Sequence, residues 1–164
     1  MITQKELKSL LSYDEKTGIF TWLLPRINNK IKAGSVAGAL HHTGYLYIGI
    51  NKKYYGAHRL AWLYVYGSFP NDMIDHINGN SIDNKIDNLR LSTNTQNQYN
   101  QKISKNNTSG IKGVCWHKVA QKWSARIRFN GKRVFLGLFE NLELAELVIN
   151  ESRNKYHGEF ARNF

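Results

Sequence analysis

Residues 73–100 read M-I-D-H-I-N-G-N-S-I-D-N-K-I-D-N-L-R-L-S-T-N-T-Q-N-Q-Y-N. Two short apolar pieces, Met73–Ile77 and Asn88–Leu91, have the length and composition of strands. Between them the turn Asn78-Gly79-Asn80 opens a polar loop, and Ser92 can N-cap a polar helix through about Lys102. Strand, loop, strand and helix in about 30 residues is the unit from which the rest of the chain is read. Ten asparagines fall between Asn71 and Asn107. Side chains of Asn and Asp bond to nearby backbone, so Asn78, Asn80, Asp83 and Asn84 read as residues that shape the loop.

Upstream, Thr3 and Glu6 form a capping box with Ile2 and Leu7 as its staple, which predicts a helix from Gln4 to about Leu11. Asp14–Gly18 reads as a turn and Ile19–Trp22 as a strand that Pro25 stops. The segment from Pro25 to His42 has little periodicity. Tyr45–Ile50 and Lys53–Ala57 predict a hairpin around Asn51-Lys52, and His58–Tyr66 a helix that ends at Gly67. Downstream, residues 105–110 have linker composition. Val114–His117, Trp123–Phe129 and Lys132–Phe139 alternate at period two, with Asn130-Gly131 as a type I′ turn, and Asn141 caps a last helix through Tyr156. Ser124, Arg126 and Arg128 then share one face of the sheet with Arg133 and Phe135, while Ala125, Ile127, Val134 and Leu136 face the helix.

The chain has 164 residues, 41% hydrophobic and 12% aromatic, enough for a packed core and too few for a large multidomain enzyme. One cysteine, Cys115, excludes an internal disulfide and a four-cysteine zinc site. No apolar run approaches the length of a membrane span, so the expected compartment is reducing and aqueous. Lysine and arginine number 23 against 12 acidic residues, a formal charge of +11. From Asn88 to Phe139 there is no carboxylate, yet ten basic side chains. On strands, that pattern points to a structured face for phosphates rather than a membrane-surface helix.

The ordered set Asp75-His76, Asn88 and Asn97 resembles the HNH (ββα-metal, His-Me finger) nuclease motif with Asn in the third position. G-Y-L-Y-I-G-I-N and A-H-R-L-A-W are similar to the region before that motif in phage and intron-encoded HNH homing endonucleases. S-G-I-K-G-V-C-W, K-W-S-A-R-I-R, G-K-R-V-F-L-G-L-F and the E-L-A-E helix resemble an AP2 DNA-binding domain. The expected fold is therefore α+β. An HNH domain would occupy 1–104, with a helix and hairpin region at 1–67 and the ββα-metal motif at 73–102. The linker 105–110 would lead to an AP2-like three-stranded antiparallel sheet packed on one helix at 111–164.

The resemblance implies His76 as general base and Asn88 as the residue that ties the loop and helps orient it. Asp75 and Asn97 would be oxygen ligands of one Mg²⁺ or Mn²⁺ ion, hard cations suited to such donors. Asp75 and His76 alternate in direction, so a twist or bulge at the strand end is expected to bring the carboxylate to the metal. Asn100, one turn beyond Asn97, is a rival ligand. His58 reads more readily as a capping or core histidine than as a ligand, Arg59 has less support at phosphate, His41 and His42 read as exposed loop residues, and Cys115 as a small side chain. In the AP2-like sheet, Arg126, Arg128 and Arg133 are expected on base edges beside Phe135, and Lys112, His117, Lys118 and Lys132 on phosphates. Phe135 stands where that family often has Trp, and Cys115 where it often has Arg.

The expected partner is double-stranded DNA, with no membrane and no obligate protein partner, in a monomer or weak dimer. A phage origin would place it in the bacterial cytoplasm. Two other readings suit the same composition: a non-catalytic DNA-binding regulator, in which the HNH-like block is scaffold, and an RNA-binding protein.

Overall fold

The computed structural model describes residues 1–25 and 30–163. Residues 26–29, inside the aperiodic segment after Pro25, lie outside the described residues. The chain packs as two compact units, Met1–Ser92 and Thr93–Phe164.

In the first unit, helix α1 (Gln4–Leu10) starts on the Thr3/Glu6 capping box and leads into the antiparallel pair β1 (Leu11–Asp14) and β2 (Ile19–Trp22). A three-stranded antiparallel sheet follows, with order β3 (Ala39–Leu40), β4 (Leu46–Ile50), β5 (Lys53–Gly56). Asn51 and Lys52 both take positive φ (49° and 61°), as a two-residue I′ turn requires. Helix α2 (Ala57–Tyr66) ends on Gly67 at φ 84°. Leu7, Leu11, Phe20, Ile48, Ile50 and Leu60 fill one core, and Gln4 Nε2 donates to Tyr64 O at 2.7 Å to tie α1 to α2.

Strands β6 (Met73–His76) and β7 (Leu89–Ser92) pair antiparallel, with a 3-10 turn at Ile86–Asn88 closing the loop. Their register is unbroken: Asp75 stands opposite Arg90 and His76 opposite Leu89. The bulge expected at this strand end is absent, so Asp75 and His76 alternate across the ribbon.

In the second unit, helix α3 (Asn94–Tyr99) is shorter than its sequence suggested and begins one residue later. Thr93 is the N-cap, with a capping box to Gln96, while Ser92 completes β7. The helix stops at Asn100. The antiparallel strands β8 (Val114–His117), β9 (Lys122–Phe129) and β10 (Lys132–Phe139) form a sheet in the order β10-β9-β8, and helix α4 (Leu142–His157) packs on it. Val114, Ala125, Ile127, Ala145 and Ile149 are the buried contacts. The β9–β10 register shifts between Phe135 and Gly137, so Leu136 is a bulge residue and not a regular inward one.

Candidate active site

His76 ends β6 with only 4% of its surface exposed, and Asp75 is equally buried. The Arg90 guanidinium grips the Asp75 carboxylate through Nε (3.0 Å) and Nη2 (2.9 Å), both on Oδ2. His76 lies in an aromatic corner: its ring centre is 5.5 Å from that of His58, at the start of α2, and 5.9 Å from that of Tyr45. Burial pushes the His76 pKa down, against opposing pulls from the Asn84 hydrogen bond and from Asp75 and Asp83. His58 is driven down further, to about 4, by burial and by the neighbouring His76 and Arg59, and its buried Nδ1 has no hydrogen-bond partner. These directions leave both rings neutral near pH 7.

The loop between β6 and β7 is laced by its own polar side chains. Asn88 Oδ1 accepts from Asn78 N (3.0 Å), and Asn88 Nδ2 donates to Asn78 Oδ1 (3.1 Å) and Asp83 O (2.7 Å). Asn78 in turn donates to Asp83 and caps Asn80 N. Asn88 thus closes the loop through its own side-chain amide. Asn84, 1% exposed, places Oδ1 3.3 Å from His76 Nε2.

Asp75, His76 and Asn88 therefore gather at one end of a single ribbon in the first unit. Asn97 is half-buried on α3 of the second unit, and Asn100, the C-cap residue of that helix, is buried. Among the described residues no group of three or more His, Cys, Asp or Glu is assembled for a metal. Two contacts escaped the sequence reading. Arg90 meets Asp75 only through the β6–β7 register, which the composition of the two strands does not set, and Asn84 looked like any other loop asparagine.

The family profile for HNH endonucleases matches residues 55–99. Protein 3.8 of Escherichia phage T7 is 38% identical over 117 residues, 68% of this chain and 94% of that protein. The chain carries an HNH endonuclease domain at residues 55–99 and is related over most of the length of Protein 3.8 to that phage protein. An uncharacterized HNH endonuclease of Acanthamoeba polyphaga mimivirus is 33% identical over 107 residues, covering 63% of this chain and 54% of that protein. A solved structure titled for DNA binding and cleavage by the HNH homing endonuclease I-HmuI is 26% identical at a TM-score of 0.42, covering 56% of this chain and 51% of that one. The chain spans about half the length of these last two.

The HNH match takes in His58, Asp75, His76, Asn84, Asn88 and Asn97 and stops before the C-terminal sheet. That sheet is basic on its outer face. Arg128 stands opposite Arg133, and Arg126 opposite Phe135 with its guanidinium carbon 5.9 Å from the ring centre. All four are exposed. Like charges directly opposite each other destabilise a sheet, so this pairing carries a cost that a polyanion would relieve. His117 shares this face through its pairing with Lys122 and accepts from Ala120 N through Nδ1. Lys118 is exposed in the following turn, and Lys132 is exposed at the hairpin tip on the face opposite Arg133. Lys112 sits differently from the others. Its ammonium donates to Tyr99 O (2.7 Å) and Gln101 O (2.6 Å), and burial together with Arg153 and Arg162 lowers its pKa to about 8.

No helix among the described residues is long and apolar enough to cross a membrane.

Proposed function

We propose that this HNH protein hydrolyses a phosphodiester bond of double-stranded DNA, with His76 as general base. The observation that carries the reading is the buried, neutral imidazole fixed at the strand end beside a buried carboxylate. A neutral imidazole can accept the proton of a water as its oxygen attacks phosphorus; the P–O bond forms as the bond to the leaving 3′-oxygen breaks. The imidazolium that results is close to Asp75, whose charge offsets it.

Asp75 would offer a hard divalent cation a carboxylate whose Oδ2 is shared with Arg90, and Mg²⁺ or Mn²⁺ there would keep much of its shell as water and phosphate oxygens. When bound, such an ion stabilises the charge that builds on the scissile phosphate and the leaving oxygen. Asn88 keeps the loop closed around His76. The domain boundary at 105–110 and an AP2-like role for residues 111–164 belong to the same proposal. Arg126, Arg128 and Arg133 with Phe135 would meet base edges and His117 a phosphate, which their shared outer sheet face supports; Lys118 and Lys132, exposed at the turns outside that face, would meet phosphates.

The test is relaxation of supercoiled plasmid with Mg²⁺, Mn²⁺ or EDTA. Wild type should nick with either cation and stop with EDTA, and His76→Ala should lose activity by roughly 100-fold or more while still shifting duplex DNA. Equal inertness of both proteins with retained binding would leave a DNA-binding regulator. Stronger retention of RNA than of duplex DNA in a competition gel shift would reassign the partner.

A further inference from the structure

Asn84 joins the packing of the loop to the chemistry of the histidine. Its Nδ2 donates to Ile82 O at 3.1 Å, which turns Oδ1 toward His76 Nε2. Exchanging the two amide ends would set Oδ1 against a carbonyl oxygen, two acceptors face to face, so the orientation is settled by the network. An amide oxygen only accepts. The ring nitrogen opposite it must then carry the proton, and in a neutral imidazole the other nitrogen holds the lone pair.

We propose that Asn84 is a positioning residue that holds His76 as the Nε2–H tautomer, making Nδ1 the atom that takes the proton from the attacking water. This rests on the nuclease reading above and names the reacting atom within it. Asn84 is itself held by β1 and the turn that follows it. Tyr13 Oη donates to Asn84 O at 2.7 Å, and Gly18, at φ +73°, packs so closely that a Cβ there would stand 2.6 Å from Asn84 C. A wrong tautomer matters because it aims an N–H where a base is needed; in hydrolases with a histidine base it costs as much as ~10⁴-fold in kcat.

The experiment uses the full chain with ring-¹⁵N-labelled histidine, read by long-range proton–nitrogen correlation at neutral pH, with His76 assigned by its loss in His76→Ala. Wild type should show Nε2 protonated. Asn84→Leu removes the acceptor at similar volume: the tautomers should mix, and kcat for plasmid nicking should drop roughly 10- to 100-fold with KM and duplex affinity unchanged. Asn84→Asp keeps an acceptor oxygen and should hold the Nε2–H form and nick faster than Asn84→Leu. Should Asn84→Leu fail to fold, the wild-type spectrum and Asn84→Asp still decide. An Nδ1–H ring in wild type, or wild-type kcat in folded Asn84→Leu, overturns the inference. Inertness of wild type would overturn the nuclease reading, and nicking by His76→Ala at the wild-type rate would remove His76 as its base and with it the catalytic half of this inference; both are told apart from failure of the tautomer because that spectrum needs no cleavage.

Discussion

His58 shows how a single side chain can be held at a cost. Its ring packs 5.3 Å from that of Tyr45 and 5.5 Å from that of His76, with Nδ1 buried and unpartnered. A folded pKa of about 4 against an ordinary 6.5 means that the unfolded chain binds the proton more readily between those two values. Stability therefore falls as pH drops through that window and the loss is complete below it, with a magnitude of roughly 3 kcal/mol for a shift of this size. Phenylalanine keeps the aromatic packing and cannot be protonated. Urea unfolding of wild type and His58→Phe at neutral pH and near pH 4 should show the variant losing markedly less stability on acidification; equal losses would remove His58 from the account. The sequence showed this histidine as a capping or core residue; the structure gives it no capping bond and a half-buried ring between Tyr45 and His76. The sequence did not show His76 as its neighbour, because the two come from separate elements and only the closed fold brings them within contact.

At the scale of elements, what was legible was whatever carries a local signal. The Thr3/Glu6 box, the Asn51-Lys52 and Asn130-Gly131 turns and the Gly67 stop all depend on residues within a few positions of each other. The start of α3 was misplaced by one residue because Ser92 and Thr93 both suit an N-cap, and pairing of Ser92 with Met73 in the ribbon decides between them. In the candidate site, His76 and Asp75 stood out by type and order, whereas Arg90 on Asp75 depends on strand register and Asn84 on His76 depends on how a polar loop folds back. The β1–β2 turn is the element that presses on that loop. A Cβ at Gly18 would lie 2.4 Å from Lys85 N, and φ of +73° is unfavourable for other residues. Gly18→Ala should cost more than about 2 kcal/mol in urea unfolding, since backbone on both sides of the contact must shift. Its folded fraction should also nick DNA more slowly than wild type, because the displaced segment carries Asn84. A variant as stable as wild type would show that the turn does not clamp the loop.

Across the whole molecule, a formal charge of +11 makes some attraction to DNA unavoidable, so binding alone says little about which cations do the work. Structure divides them by what each side chain already holds. Lys118 and Lys132 are exposed and suited to phosphates, where each contact releases counterions; Lys118→Ala and Lys132→Ala should each lower the slope of log K against log salt by about one, alike on every sequence. Arg126, Arg128 and Arg133 crowd one sheet face, and loss of a base-reading arginine should cost about 1–3 kcal/mol on the preferred site and less on random duplex. Lys112 belongs to neither class, since its ammonium holds the carbonyls of Tyr99 and Gln101. Lys112→Met should leave the salt slope where it was and lower the unfolding midpoint instead, because the carbonyls of Tyr99 and Gln101 lose the ammonium that joins them. Fluorescence anisotropy of a labelled duplex over a salt series, beside a urea melt of each variant, separates the three behaviours. A reduced slope for Lys112→Met with unchanged stability would return that lysine to the phosphates, where the sequence alone had put it.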